Sequence, residues 1–379
     1  MKRMIIRVLL LSVLLTIALS GTALAMIESG NTCGEHVTWA LDEENGVLTI
    51  TGEGPMKNDY TTNEYNRIYY LPPWWYRRDQ IRSVVIEEGV TDIGQNAFSG
   101  CDRMTSVQLP DSLVTIQSGA FDSCKALTEI RFPDGLQVIA SGAFNNCTGL
   151  KEVTFPAGIR EIGGFKDCDS LRSVTIPDGV EYLSASAFES CNDLMTAEIG
   201  AGVTVLKGRT FAKCRNLKFI NLPDTIEEIE SFAFSGCNDL DDVYYAGTEE
   251  QWRAIDVSYS SRLITEFGDD VNDALRYADY HFETPAPETW TTTGTWFTDD
   301  EGEWEHAMTY VCAKVPALAC SAVYDEDGCC LEIRLHELTP GEITEIAFDL
   351  PKDAWDAKVF VLDGSMTPLC DCNSSWYWE

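Results

Sequence analysis

The sequence predicts a mostly β protein, in which a repeat solenoid is capped at both ends and followed by a small β-sandwich-like domain. Two observations predict the solenoid: one phrase recurs seven times, and successive copies are 23 residues apart except for one step of 21. A fixed period in this range is typical of proteins whose coils stack on one another. Each copy places a cysteine three residues after a phenylalanine, at Cys101, Cys124, Cys147, Cys168, Cys191, Cys214 and Cys237.

One copy is enough to predict the path of a coil. In the copy that ends at Cys147, Ile130 and Phe132 alternate with polar residues as in a short strand that faces a core, and residues 133–135 form a turn. Phe144 then fills the opposite wall. The same pattern predicts an array of about seven coils over residues 81–247.

The single 21-residue step contains Gly163 and Gly164, where other coils have the alanine of an Ala-Phe pair. Because a glycine has no Cβ, two chain segments can approach each other closely there. We therefore expect a tighter wall at this coil.

The seven array cysteines are predicted to stack as a ladder, one in each coil. We interpret them as small buried side chains with weak S–H donors. Neighbouring rungs are close enough that bridging them is an alternative. Zinc is disfavoured because the cysteines occur singly, without CxxC pairs.

The N-terminus has the pattern of a secretory signal peptide over residues 1–25. A basic start is followed by an apolar stretch, and Ala23-Leu24-Ala25 is a small-x-small cleavage site, which predicts cleavage between Ala25 and Met26. The apolar stretch is short for a membrane span. We therefore expect a mature chain without a transmembrane segment, either secreted or non-covalently associated with the cell surface.

The charge restricts the class of partner. The chain has 27 Lys and Arg against 61 Asp and Glu, a net charge of −34. Because association with nucleic acid depends on neutralising phosphates, this balance opposes such binding. We expect no nucleic-acid partner.

Both ends of the array are predicted to be covered, because an open solenoid end exposes its core. Residues 26–80 form the predicted N-terminal cap, with a β-hairpin whose turn is Asn45-Gly46 and a loop that closes over the first coil. Residues 248–283 form the predicted C-terminal cap. It comprises a short helix capped by Thr248, in which Trp252 covers the last coil, and an edge strand at 280–282.

Beyond the caps, residues 284–294 are predicted to be a Pro/Thr linker, 295–373 an accessory β-domain and 374–379 a tail. Strand-like runs every 10–15 residues without helices suggest a β-sandwich there. An Asp-rich stretch at 325–328 is interpreted as a hairpin turn rather than a calcium loop. Disulfides and buried free thiols both remain open for the cysteines outside the ladder, which are Cys33, Cys312, Cys320, Cys329, Cys330, Cys370 and Cys372.

The repeat phrase C-x-x-L-x-x-[IV]-x-[LFI]-P, continued by a later A-F pair, resembles the BspA-like leucine-rich repeat family of bacterial surface proteins. The resemblance covers residues 81–245 and extends to the flanks 33–39 and 244–252. The chain departs from the pattern at Gly200 and Ala246, where proline is expected. The resemblance implies a leucine-rich repeat fold and a role in surface adhesion or binding of host proteins. It carries over no ligand-binding residues.

The predicted binding surface is the outer face of the solenoid sheet, where stacked coils present extended rows. One row comprises Val85, Gln108, Arg131, Thr154, Thr175, Glu198, Asn221 and Tyr244. The parallel row comprises Ser83, Ser106, Glu129, Glu152, Ser173, Thr196, Phe219 and Asp242. Phe219 and Tyr244 are the aromatic members and are predicted to anchor a ligand.

Enzymatic signals are weak. The four histidines lie far apart, and no Ser/His/Asp set, Cys/His set or glycine-rich phosphate loop is evident. We therefore predict a non-enzymatic, adhesin-like protein without a cofactor or metal, whose partner is an extracellular protein; its oligomeric state is not indicated.

The alternative is an exported protein that binds or acts on glycans through the C-terminal domain. Tryptophans that could stack on sugars support it: Trp290, Trp296, Trp304, Trp376 and Trp378.

Overall fold

The computed structural model describes residues 27–30, 33–56, 60–62, 68–258, 272, 274–283, 289–291, 295–298, 304–313, 317–324, 330–339, 343–349 and 356–362. The predicted signal peptide with its cleavage site at Ala25 and Met26, the predicted turn at 325–328 and the predicted tail lie outside these residues. The chain divides into two compact units, residues 1–284 and 285–379.

A β-hairpin begins the first unit. Its strands, Val37–Asp42 and Val47–Gly52, pair antiparallel, and Ile27–Gly30 extends the sheet on one side. The second hairpin strand pairs parallel with Ser83–Ile86, the first strand of the array. The hairpin therefore continues the array sheet at its N-terminal end.

The array has two walls of parallel strands. The front wall, which we call the front sheet, carries the predicted rows. Its strands are Ser83–Ile86, Ser106–Gln108, Glu129–Arg131, Glu152–Thr154, Ser173–Ile176, Thr196–Ile199, Phe219–Leu222 and Asp242–Tyr245. Strand pairing is interrupted after Ser106–Gln108 and after Glu152–Thr154. The strands of the back wall are Gly54–Pro55, Val90–Ile93, Thr115–Ile116, Val138–Ile139, Glu161–Ile162, Tyr182–Leu183, Val205–Leu206, Glu228–Ile229 and Asp256–Val257, and their pairing is interrupted after Tyr182–Leu183. Equivalent residues of successive coils are in register, as in the pairs Arg131 with Thr154 and Ile116 with Ile139.

The core between the walls contains a continuous stack of phenylalanines. Consecutive ring centroids from Phe98 to Phe234 lie 5.0–5.8 Å apart. Beside the rings, each cysteine from Cys124 to Cys237 donates its S–H to the phenylalanine carbonyl of the preceding coil, at 3.0–3.3 Å. The seven array cysteines are free, buried thiols.

The short coil is as tight as its glycines predict. Gly164 has a φ of +81°, and a Cβ there would lie 2.2 Å from the backbone nitrogens of Gly142 and Ala143. At Gly163 a Cβ would lie 2.4 Å from Oγ of Ser184. Glycine is therefore required at both positions by close approach of the neighbouring coils.

Trp74 closes the N-terminal end. It precedes the 3₁₀ helix Trp75–Gln80, and its ring is stacked on Phe98 at 5.8 Å. Its indole Nε1 donates to the carbonyl oxygen of Ala97 at 2.8 Å. In later coils the carbonyl oxygen at the position of Ala97 accepts from the backbone N–H of the phenylalanine of the preceding coil. The first coil has no such preceding phenylalanine, so the indole of Trp74 supplies the donor instead. A second hairpin, Tyr60–Thr62 with Ile68–Tyr70, lies just before it in the chain.

The C-terminal end is closed by the predicted helix and strand. The helix Glu249–Ala254 has a capping box, in which Gln251 N donates to Thr248 Oγ1 and Thr248 N donates to Gln251 Oε1. Trp252 packs edge-to-face on Tyr245 at 5.3 Å. A second short helix, Ala274–Tyr277, leads into the final parallel strand, Asp279–Phe282.

Asn272 closes the same end by a different means. Its side-chain Oδ1 accepts from the backbone N–H of Phe234 at 3.0 Å, the bond that a further coil would otherwise supply. Its Nδ2 donates to the carbonyl of Glu230. A fully buried amide therefore completes the hydrogen bonding of the last coil.

The second unit contains two antiparallel sheets. In one, Trp304–Ala313 pairs with Thr289–Thr291, Thr295–Thr298 and Ile343–Asp349. In the other, Ala317–Tyr324 lies between Cys330–Leu338 and Asp356–Leu362. Because residues 289–291 pair within a sheet, the linker prediction is wrong at these residues. The β-sandwich arrangement stays a prediction.

Candidate binding surface

The front sheet presents its predicted rows unequally. Along a strand, successive side chains point alternately to the core and to the outside, so every second residue of each strand belongs to the outer face. The exposed outer residues lie in the strands from Ser106–Gln108 to Ser173–Ile176 and are Ser106, Gln108, Glu129, Arg131, Glu152, Thr154 and Thr175. Ser83, Val85, Ser173, Glu198, Asn221, Asp242 and Tyr244 are half-buried.

The structure corrects the sequence-based prediction for Phe219. The prediction that it anchors a ligand from an open surface is wrong, because its side chain is only 7% exposed. It packs edge-to-face against Tyr244, with ring centroids 5.9 Å apart. Thr196, one coil earlier in the same row, is 8% exposed. The C-terminal half of the predicted face is therefore largely covered.

Tyr244 belongs to a cluster that the sequence analysis did not identify. Its ring stacks on His281, with centroids 4.4 Å apart, because the strands 242–245 and 279–282 are parallel and in register. His281 Nε2 lies 2.7 Å from Asp242 Oδ1. Burial, and then the charge of Asp242, raise the pKa of the Tyr244 phenol. These contacts hold the ring in place, so Tyr244 is part of the C-terminal closure as well as of the row.

The exposed half of the face is polar and mixed in charge. The register places Glu129 beside Glu152 and Arg131 beside Thr154. Further along, Thr175 Oγ1 donates to Glu198 Oε2 at 3.5 Å. Because the backbones of neighbouring coils are hydrogen-bonded to one another, the spacing of these side chains is rigid. Such a row can meet a partner with fixed polar contacts.

Two kinds of feature are absent from the described residues. Within them, His, Cys, Asp and Glu form no group of three or more that could hold a metal ion. None of the helices in this described part of the chain has the length and apolar character of a membrane span.

Comparison with known families identifies the array. A family model described as the BspA type leucine-rich repeat region, in six copies, matches residues 74–165 and 163–255. The repeat array is a BspA-type leucine-rich repeat region. The BspA-type match thus begins at Trp74, includes every cysteine of the ladder and ends just after the capping helix. No protein with a curated description matches the chain.

Solved structures that resemble the chain include other leucine-rich repeat proteins. One, from Bacteroides ovatus, is 21% identical, with a TM-score of 0.43, and the match covers 62% of this chain and 67% of that one. One from T. pallidum is 24% identical, with a TM-score of 0.34, and covers 56% and 92%. A leucine-rich cell surface protein from Faecalibacterium prausnitzii is 19% identical, with a TM-score of 0.22, and covers 62% and 98%.

Proposed function

We propose that the chain is an exported, non-enzymatic interaction protein whose BspA-type repeats bind an extracellular protein through the exposed half of the front sheet. The observation that carries the proposal is the exposed polar row Gln108, Arg131, Thr154 and Thr175 on a rigid stack of coils. Solenoids commonly bind partners along such extended surfaces.

The side-chain chemistry of this half favours a protein partner. Arg131 has five N–H donors and lies among carboxylates and hydroxyls, including Glu129, Glu152 and Thr154. Donors and acceptors of both charges within one patch suit a mixed polar protein surface, where arginine is often prominent in recognition.

The test is binding of the purified protein, without residues 1–25, to a panel of extracellular-matrix proteins at moderate and high salt. Saturable binding to one panel protein is expected. The variant Gln108→Ala/Arg131→Ala should weaken it about tenfold or more. The matched control is Gln137→Ala/Arg160→Ala, which removes the same two residue types from exposed positions at the back wall.

Two results contradict the proposal. One is the absence of saturable binding to every panel protein. The other is binding that the front-sheet variant and the back-wall control leave equally unchanged.

Export has a separate test. N-terminal sequencing of the protein recovered outside cells should begin at Met26, as the signal pattern predicts. Retention of the full chain inside the cell contradicts export.

The glycan alternative stays a prediction, since it depends on tryptophan side chains that lie outside those the structure describes.

A further inference from the structure

A polar groove runs along a different edge of the array, where the chain turns from the phenylalanine stack back to the front sheet. Its lining comes from four successive coils and consists mainly of the residues on either side of Cys147, Cys168, Cys191 and Cys214. Each of these cysteines is buried, so its two neighbours point outward. The groove has a volume of about 560 Å³. Three steps between stacked coils, each about 4.8 Å, make it about 14 Å long.

One end of the groove is basic in an otherwise acidic protein. Residues 207–218 contain five of the 27 Lys and Arg residues and no Asp or Glu. Lys207 is paired with Glu230 at 3.0 Å and Lys218 with Asp239 at 3.1 Å. Lys213 and Arg215 are exposed, line the groove and form no ion pair with any carboxylate among the described residues. Two cations are thus available to an anionic group.

The rest of the groove presents neutral donors and acceptors, with carboxylates near its middle. Asp167 and Asp169 contribute carboxylates, while Asn146 and Asn192 contribute amides. Asn192 Nδ2 donates to Asp169 Oδ1 at 2.6 Å, which fixes both side chains.

The backbone beneath the groove is also fixed. The N–H of Asn146 donates to the carbonyl of Lys166, and that of Asp167 to the carbonyl of Glu189. In the same way the N–H of Ser190 donates to the carbonyl of Ala212. Polar groups held in this way bind a ligand with little loss of conformational entropy.

We propose that this groove binds a short oligosaccharide that carries one carboxylated sugar. The sugar carboxylate lies against Lys213 and Arg215, where charge-assisted hydrogen bonds are available. The neutral, hydroxyl-rich sugars extend toward Asp169 and Asn146, whose oxygens accept from the hydroxyl groups. The site is separate from the front sheet, so it is a second binding function.

The lining distinguishes this ligand from other anions. A polyanion such as nucleic acid or a run of acidic residues would bring negative charge against Asp167 and Asp169, in a protein whose net charge is already −34. Every lining residue is polar or charged, so the groove has no aliphatic or aromatic residue that could anchor an apolar side chain of a peptide. In an oligosaccharide with one carboxylated sugar, the carboxylate matches the basic end at Lys213 and Arg215. The neutral hydroxyl groups match the end with Asp169 and Asn146.

The test is calorimetric titration of the purified protein with sialyllactose, with a disaccharide ending in glucuronic acid, and with lactose. At least one carboxylated sugar should bind saturably, and about tenfold or more tightly than lactose. The variant Lys213→Gln/Arg215→Gln should remove most of this preference. Asp169→Asn should weaken binding of the same sugar while keeping its preference over lactose.

Matched controls come from the same repeat position in earlier coils. Lys125 follows Cys124 as Arg215 follows Cys214, and Asp102 follows Cys101 as Asp169 follows Cys168. Neither control residue lines the groove, so Lys125→Gln and Asp102→Asn should bind like the parent. Circular dichroism and thermal unfolding confirm that each variant is folded.

Several outcomes overturn the proposal: no saturable binding of either carboxylated sugar, equal loss in groove and control variants, or saturable binding of a poly-glutamate peptide in place of the sugars. The front-sheet variant Gln108→Ala/Arg131→Ala should bind the sugar normally. Failure of the groove is therefore distinguishable from failure of the proposed protein-binding face.

Discussion

At the scale of single residues, the cysteine ladder shows how burial changes chemistry. Burial raises the pKa of the Cys101 thiol to about 12, and that of Cys237 also to about 12, from an ordinary value of 9.0. The thiols between them are also buried. Because the thiolate is the reactive form, these residues serve packing and weak hydrogen bonding rather than redox chemistry.

The same shift predicts how stability depends on pH. Above pH 9.0 the unfolded thiols lose protons, whereas the folded thiols of Cys101 and Cys237 keep theirs up to about pH 12. The unfolded state then binds fewer protons, so the free energy of unfolding falls as pH rises, by about 1.4 kcal/mol per pH unit for each thiol. Below pH 9.0 these thiols make no contribution to the slope.

Urea unfolding under reducing conditions at several pH values from 8 to 10.5 measures this slope. Above pH 9, the free energy of unfolding of the variant Cys101→Ala/Cys237→Ala should fall less steeply with pH than that of the parent, by a difference equivalent to about two protons. An identical slope in the parent and the variant would show that these thiols titrate normally in the folded chain.

Gly164 gives a second prediction at the residue scale. Gly164→Ala places a Cβ against the backbone of the preceding coil at a φ of +81°. The combined strain and overlap should lower the free energy of unfolding by about 2–4 kcal/mol. At Gly158, where a Cβ would lie 3.5 Å from its nearest neighbour, the same substitution should be close to neutral. Equal effects of the two substitutions in denaturant unfolding would refute the packing argument.

At the scale of elements, the two caps use different side chains to complete the packing and hydrogen bonding of the end coils. An end coil lacks a neighbour, so its backbone groups and ring are left without partners. Trp74 supplies a ring and an N–H donor at the start, and Asn272 supplies an acceptor at the end. Trp252 and Tyr245 cover the remaining apolar surface of the last coil.

Trp74→Ala should therefore destabilise the array by about 3–5 kcal/mol, as expected for loss of a buried aromatic side chain. Trp74→Phe keeps the stack on Phe98 but leaves the Ala97 carbonyl without its donor, at a cost of about 1–3 kcal/mol. Tyr76, which is 80% exposed, is the control, and Tyr76→Ala should change stability by less than about 0.5 kcal/mol. A loss in Trp74→Ala no larger than in Tyr76→Ala would mean that Trp74 is not the cap.

At the scale of the whole molecule, the charge is the dominant feature. A net charge of −34 produces mutual repulsion that opposes the compact state. Most ion pairs described in the array, such as Lys207 with Glu230, join partly exposed side chains. Such pairs contribute little each, so they offset only part of the repulsion.

Salt should therefore stabilise the protein. Between about 20 mM and about 500 mM NaCl, screening of this repulsion should raise the free energy of unfolding by about 1 kcal/mol, or about 2–4 °C in Tm. KCl should act equally, because screening depends on ionic strength. A Tm that falls with NaCl in thermal unfolding would indicate that attractive ion pairs outweigh the repulsion.

Local pattern was enough to determine the repeating architecture. The 23-residue period, the alternation within each strand and the Phe–Cys phrase predicted the stacked coils, the buried ladder and the tight step at Gly163 and Gly164. The capping helix at Thr248 followed from its N-cap chemistry. These features depend on residues close together in the chain or at one fixed spacing, so the sequence displays them directly.

Only the tertiary structure decided which parts of the surface are open. Alternation assigns Phe219 to the outer face, yet the side chain is buried and packed on Tyr244, which stacks on His281. Tyr244 and His281 are 37 residues apart in the chain, an interval unrelated to the repeat period. The position of Asn272 is likewise unrelated to that period. The polar groove lies at one repeat position in four coils, but only the fold shows that Lys213 and Arg215 are exposed there and form no ion pair with a described carboxylate. Contacts between distant segments set burial and shape, and local sequence does not encode which segments meet.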